Sequence, residues 1–182
     1  MKPGWLMTFT GRIIYPLEMK VDDITIADIA HHSAYQCRYA GAVKKHYSVA
    51  EHSVHISRYA IAEDQQEALL HDAGEAYVQD LLMGLKHSGL MEAYRTLEKS
   101  IEALINERFG IKSTPESRAR IKALDTRIVM DETQDLMHDC TPFWEARKGL
   151  EPLGIKVLAL KNEDAELFFL RRFARLFPRW NE

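Results

Sequence analysis

His71 and Asp72 are neighbours in the stretch YSVAEHSVHISRYAIAEDQQEALLHDAGEAYVQD, residues 47–80. Adjacent residues on a helix point about 100° apart, so an imidazole and a carboxylate placed this way can both reach one ion lying between those directions. Glu75 follows His71 by four residues and falls on the same helical face, one turn on. With a second imidazole upstream, such a set suits a mid-row divalent ion: Mn, Fe, Co, Ni or Zn. The plainer alternative is a polar patch at a helix end. Against it, this pair interrupts an apolar helix and has further ligand candidates on both sides. The second imidazole can come from His52, or from His52 with His55, which are three apart and share a face.

These residues need elements to hold them. Ser48 stands three before Glu51, the spacing of a capping box, so a helix starting at Ser48 carries His52 one turn in. Asp64, three before Glu67, opens a second helix with Ala68, Leu69 and Ala73 as apolar contacts. His71, Asp72 and Glu75 come near its end. Gly74 weakens it, and the chain to Asp80 is expected to unwind into a loop. Thr25 and Asp28 open an earlier helix over 26–39, which carries His31, His32 and Arg38 and stops at Gly41. Gly84 and Gly89 bracket Lys86 in a loop suited to a mobile flap.

Further on, Leu90, Tyr94, Leu97, Ile101, Leu104 and Ile105 make one apolar stripe ending at Gly110, a helix that reads as core and not as a site. Thr114 and Pro115 open the next helix, with Ile121, Leu124, Ile128 and Val129 facing inward. Asp125 lies at the edge of that face and needs a partner if buried, a metal or an Arg. Lys122 is three residues before it and can point into the same cleft, whereas Asp131 and Glu132 read as solvent-facing. Residues 138–154 read as a loop in which Phe143 and Trp144 pack under a neighbour. Asn162 caps a last helix ended by Pro178. Its Leu167, Phe168, Leu170 and Phe173 exceed what one stripe needs, which suggests a subunit contact. The first residues, through Asp23, form a short hairpin or an extended arm, Pro16 arguing against a central strand and Arg12 offering the one candidate contact.

The chain has 182 residues, enough for one domain with a substantial core, and 46% of them are hydrophobic. No uncharged apolar run is long enough to span a membrane, and the N-terminus lacks a signal-peptide core. Cys37 and Cys140 are too few for a disulfide framework, so a cytoplasmic compartment is the simplest expectation. A net charge of −3 gives no footprint for nucleic-acid binding. An anionic substrate must therefore be met by locally placed cations or a metal.

The pattern H…HD…D, formed by His52, His71-Asp72 and Asp125, resembles the metal-binding signature of the HD-domain phosphohydrolases. The flanks SVAEHS and LLHDAGEAYVQDL are similar to those of small all-helical members that act on deoxynucleotides, among them bacterial 5′-deoxynucleotidases and viral dATP triphosphohydrolases. The likeness covers residues 24–131. It implies an all-α, HD-domain helical bundle: one domain, with an arm at 1–23, a metal-site core at 24–131 and a C-terminal extension and helix at 132–182. His52, His71, Asp72 and Asp125 are the implied ligands of a divalent ion (Co, Mn, Zn, Fe, Ni or Mg). Glu75 is implied to orient or deprotonate water, Asp80 to protonate the leaving 5′-oxygen, and Arg38 and Lys86 to hold phosphate. Lys122 joins them as a further cation, and Tyr39, beside Arg38, is the candidate for the base. The implied partner is a small nucleotide, with no nucleic acid, no membrane and a homo-oligomeric state; the compartment is the cytoplasm, the host's if the source is viral. The favoured reaction is hydrolysis at the α-phosphorus of a deoxynucleoside triphosphate. A 5′-deoxynucleotidase, an HD phosphodiesterase and a non-catalytic nucleotide-binding module are the alternatives.

Overall fold

The structure is a computed structural model and describes residues 4–139 and 141–180. Cys140 lies outside the described residues. The elements in order are a hairpin of β1 (Leu6–Met7) and β2 (Ile13–Ile14), then α1 (Ile26–Tyr35), α2 (Val49–Tyr59), α3 (Gln65–Leu70), α4 (Glu75–Val78), α5 (Met83–Lys86), α6 (Glu92–Phe109), α7 (Pro115–Leu136), α8 (Thr141–Ala146) and α9 (Asn162–Leu176). The strands are antiparallel with Leu6 opposite Ile14, so the chain is an all-α bundle with a short N-terminal hairpin. Among the described residues no helix is long and apolar enough to cross a membrane.

The buried centre is α2, which packs against α1, α3, α7 and α9. Every residue from Val49 to Ser57 on it is buried, the polar ones included. The Ser48 hydroxyl caps α2 by accepting from the Glu51 amide at 3.1 Å. Glu51 does not complete a capping box. Its carboxylate turns instead to the extended segment after α8 and accepts from the amides of Leu158, Ala159 and Leu160 at 2.8–3.1 Å. One side of α2 meets Ile29, Leu69, Ile101 and Phe169 in the main core; Ile56 joins Ala68, Ile121 and Ile128 in a second cluster.

Several elements depart from the sequence expectation. Helix α1 begins at its Thr25 cap but ends at Tyr35, not Tyr39, because the backbone of 36–38 bonds to 47–49: Arg38 N donates to Tyr47 O at 2.9 Å and Val49 N to Gln36 O at 3.1 Å. A left-handed turn follows, with Tyr39, Ala40 and Gly41 at φ 58°, 50° and 78°. Asp64 does not cap α3; its carboxylate binds Arg120 at 2.6 and 2.8 Å. The chain does not unwind at Gly74, which is right-handed helical (φ −60°, ψ −32°). Short i to i+3 bonds carry it through His71–Gly74 into α4, and the break comes at Gln79 (φ 74°).

Leu90 lies before α6 and is 90% exposed, while Ile101, Ile105 and Phe109 are buried and Gly110 ends the helix at φ 70°. Asp131 and Glu132 are not solvent-facing: both are buried, and Asp131 accepts from the amides of Leu153, Gly154 and Ile155. The stretch read as a loop contains α8, where Phe143 and Trp144 pack edge to face and Arg147 covers Phe143. Asn162 is the first residue of α9 and not its cap. On α9 Ala165, Phe169 and Phe173 are buried, Phe168 and Leu170 partly so, and Leu167 is exposed.

Candidate metal centre and the side chains around it

Three elements converge on one point. Helix α2 brings His52, the turn after α3 brings His71 and Asp72, and α7 brings Asp125. His52, His71 and Asp72 form a group whose ligand atoms all lie within 4.8 Å of one another. His52 Nε2 is 3.4 Å from Asp125 Oδ1 and 3.5 Å from Asp72 Oδ2, and His71 Nε2 is 3.2 Å from Asp72 Oδ2. His55 stays apart, 3.4 Å from Glu51 and edge-on to Phe168, so the alternative ligand pair does not form.

The outer nitrogens fix the tautomers. His71 Nδ1 faces the Ala68 carbonyl at 2.9 Å, and His52 Nδ1 faces Glu132 Oε1 at 2.6 Å. Both acceptors require Nδ1 to carry the proton, leaving the Nε2 lone pairs pointing into the cluster. Both Nε2 atoms are buried without a hydrogen-bond partner, and they face carboxylate oxygens, which are also acceptors. Acceptors facing acceptors in a buried place repel unless a cation lies between them. A proton on His52 is one such cation: burial and Arg38 oppose it, but Glu132 and Asp125 outweigh them and push its pKa up to about 9. A divalent ion answers the same need for two imidazoles and two carboxylates at once, and the residues present fit one.

Glu132 is the residue whose role the sequence did not show. It is fully buried, and besides His52 it accepts from the Tyr39 and Tyr47 hydroxyls and lies 3.5 Å from Arg38. Burial works to raise its carboxyl, yet Arg38, His52 and the bonds from His52 and Tyr39 bring it down to about 2. It stands seven residues after Asp125, two turns along the same face of α7, and that spacing was the available signal. Asp72 and Asp125 are likewise held well below the usual range: burial opposes this, and the His52 and His71 imidazoles overcome it.

The candidate substrate residues divide into two groups. Arg38 is partly buried against Asp72, Glu132 and Asp125, at 3.5, 3.5 and 4.0 Å, and so stands as their counter-ion. The Tyr39 hydroxyl points to Glu132, behind His52, and neither Arg38 nor Tyr39 lines the cavities beside the cluster. Lys122 reaches Asp125 Oδ2 at 2.7 Å and lines a cavity of about 250 Å³ together with His71, Asp72, Glu102, Asn106 and Arg118. Lys86 lines a second cavity, of about 140 Å³, with His71, Asp72, Glu75 and Glu98. Its ammonium is 2.5 Å from Glu98 and 3.6 Å from Glu75.

Glu75 is buried, and its Oε2 has no partner. Burial, then Asp72 and Asp80, push its carboxyl well above the usual range against the pull of Lys86 and Arg38. Asp80 is half-buried and also raised, by burial and by Asp72, with Arg38 opposing. Two carboxyls that tend to hold protons thus sit beside two that do not. Helix α6 was expected to be core only; in fact Glu98, Glu102 and Asn106, spaced by four, line the cavities from its other face.

No family model matches the chain. It is 36% identical over 174 residues to the uncharacterized protein YfdR of Escherichia coli (strain K12), an alignment covering 93% of this chain and 94% of that protein. It is 35% identical over 138 residues to an uncharacterized protein of Rhodobacter capsulatus, covering 69% of each. With that identity sustained over nearly its whole length, the chain belongs to the protein family that includes YfdR.

Proposed function

We propose that the protein is a metal-dependent nucleotide phosphohydrolase of the HD type, cleaving at the α-phosphorus of a deoxynucleotide. The observation that carries this reading is the pair of buried, unpartnered Nε2 lone pairs of His52 and His71 set against Asp72 and Asp125. A divalent ion held by these four residues supplies Lewis acidity toward a phosphoryl group and an acidified water. The chain's own groups do the rest. Glu75 takes or orients the proton of the attacking water, and Asp80 gives one to the leaving 5′-oxygen. Both carboxyls are raised by burial and by the neighbouring carboxylates, the direction that suits proton exchange with water and a leaving oxygen. Lys86 and Lys122 place positive charge at the two cavities, and Arg38 balances the carboxylates behind them.

A triphosphate is favoured over a monophosphate because the larger cavity adds Arg118 and Lys122 beside Asp125, room and charge for a longer phosphate chain. The setting in this reading is the cytoplasm, where such nucleotides occur. Self-association would use exposed apolar side chains such as Leu167 on α9 and Met7 and Phe9 of the hairpin.

Mono- and triphosphates of deoxynucleosides, incubated with Mg, Mn or Co, test the proposal. Intact tripolyphosphate with free nucleoside is the expected outcome; orthophosphate from the monophosphate alone would move the assignment to a 5′-deoxynucleotidase. Hydrolysis in ¹⁸O-water is expected to label the phosphate product and spare the nucleoside. Accumulation of a diphosphate with orthophosphate would contradict attack at the α-phosphorus.

A further inference from the structure

Lys86 is held at both of its ends by one helix. Residues 79–91 leave α4 at the left-handed Gln79, carry Asp80 and α5, and rejoin the bundle at α6. Leu82, Met83, Leu85 and Leu90 on this segment are all exposed, so apolar burial contributes little to fixing it. Polar side chains from the start of α6 fix it instead. The Tyr94 hydroxyl donates to Gln79 O at 2.5 Å, and Arg95 donates to Lys86 O at 2.6 Å and to Ser88 O at 2.8 Å. One turn on from Tyr94, Glu98 takes the Lys86 ammonium at 2.5 Å.

The competing place for that ammonium is Glu75, 3.6 Å away, whose second oxygen is buried without a partner. A lysine seated fully on Glu75 would tie up the carboxyl assigned to the attacking water and leave less positive charge for an anion entering the cavity that both residues line with Asp72. Glu98 keeps it off. We infer that Glu98 and Arg95 are positioning residues: they hold the Lys86 ammonium at the wall of the cavity beside Asp72, closer to Glu98 than to Glu75, so that an incoming phosphoryl oxygen replaces Glu98 as its anion. The exchange breaks no covalent bond; one ion pair gives way to another. The inference rests on the phosphohydrolase reading for its substrate, but not for the geometry of the latch.

Two measurements separate those parts. In hydrogen exchange on the full chain, Arg95→Ala and Glu98→Gln are expected to speed amide exchange across 79–91 by about tenfold while α2 and α7 stay protected. Unchanged exchange there would overturn the latch, whatever the protein hydrolyses. In kinetics on metal-loaded protein, Glu98→Gln is expected to lower kcat by about tenfold with KM moved less than about threefold. Lys86→Ala with Glu98→Gln is expected to be no slower than Lys86→Ala alone. Additive losses would show that Glu98 acts independently of Lys86 and would contradict the positioning role. A wild-type protein that hydrolyses no phosphate ester would remove the reading of the substrate and leave the exchange measurement to decide the latch.

Discussion

An imidazole offers a lone pair to a cation only when its other nitrogen carries the proton, and here an acceptor enforces that for each histidine. For His71 it is a backbone carbonyl and for His52 it is the carboxylate of Glu132. The carboxylate is the stronger device, because it also makes an imidazole a better donor to a metal ion. Glu132→Gln keeps an acceptor but loses the charge, and is expected to weaken metal affinity by about 10–100-fold in a competition titration with a chelator. Unaltered affinity would show that Glu132 serves Arg38 and the tyrosines alone. Glu75 is not one of the four residues proposed to hold the ion, so Glu75→Ala is expected to retain the metal and lose about 10²–10⁴ in rate. Turnover at the wild-type level would make Glu75 structural. The four residues that the structure brings together, His52, His71, Asp72 and Asp125, were legible in the sequence because their types and order are unusual. Glu132 was not, since a charged residue beside Asp131 reads as surface until one knows that His52 lies across from it.

Elements whose signals are local were legible. Thr25, Ser48 and Thr114 cap α1, α2 and α7 through side chains three residues from their partners, and Gly110 ends α6. The end of α1 was not legible, because it is set by bonds to 47–49 that no local pattern announces. Helix α6 was read as core alone, since Glu98, Glu102 and Asn106 at intervals of four look the same whether water or a cavity faces them. The hairpin is tied to α1 by Asp28, which accepts from the Thr10 amide at 2.8 Å and from the Thr10 and Thr25 hydroxyls at 3.0 and 2.7 Å. Burial pushes this carboxyl up, but those bonds outweigh it and its pKa is lowered from 3.8. A depressed acid stabilises the fold above its unfolded value and loses that contribution as pH falls through the folded one. The tie is therefore complete at neutral pH and lost only below 3.8. The Thr10 amide proton shift, followed by NMR, is expected to titrate with a midpoint below that value and to be flat in Asp28→Asn. A midpoint at or above it would mean the bonds do not favour the carboxylate.

At the scale of the whole molecule, the site exists because α2 is surrounded. Helices α1, α3, α7 and α9 bury it, so His52 enters the cluster from a rigid floor while His71, Asp72 and Asp125 close over it from two other elements. Such a floor resists collapse when one ligand is removed, which makes the metal claim testable on a folded protein. Asp72 is the most informative of the proposed ligands: its Oδ2 lies within 3.5 Å of both imidazoles, so its loss removes charge and geometry together. The measurement is metal content by elemental analysis after dialysis, on wild type and Asp72→Ala, with circular dichroism confirming that both remain helical. Wild type is expected to retain a bound divalent metal and Asp72→Ala to retain none; a folded Asp72→Ala protein with the metal content of wild type would contradict the site.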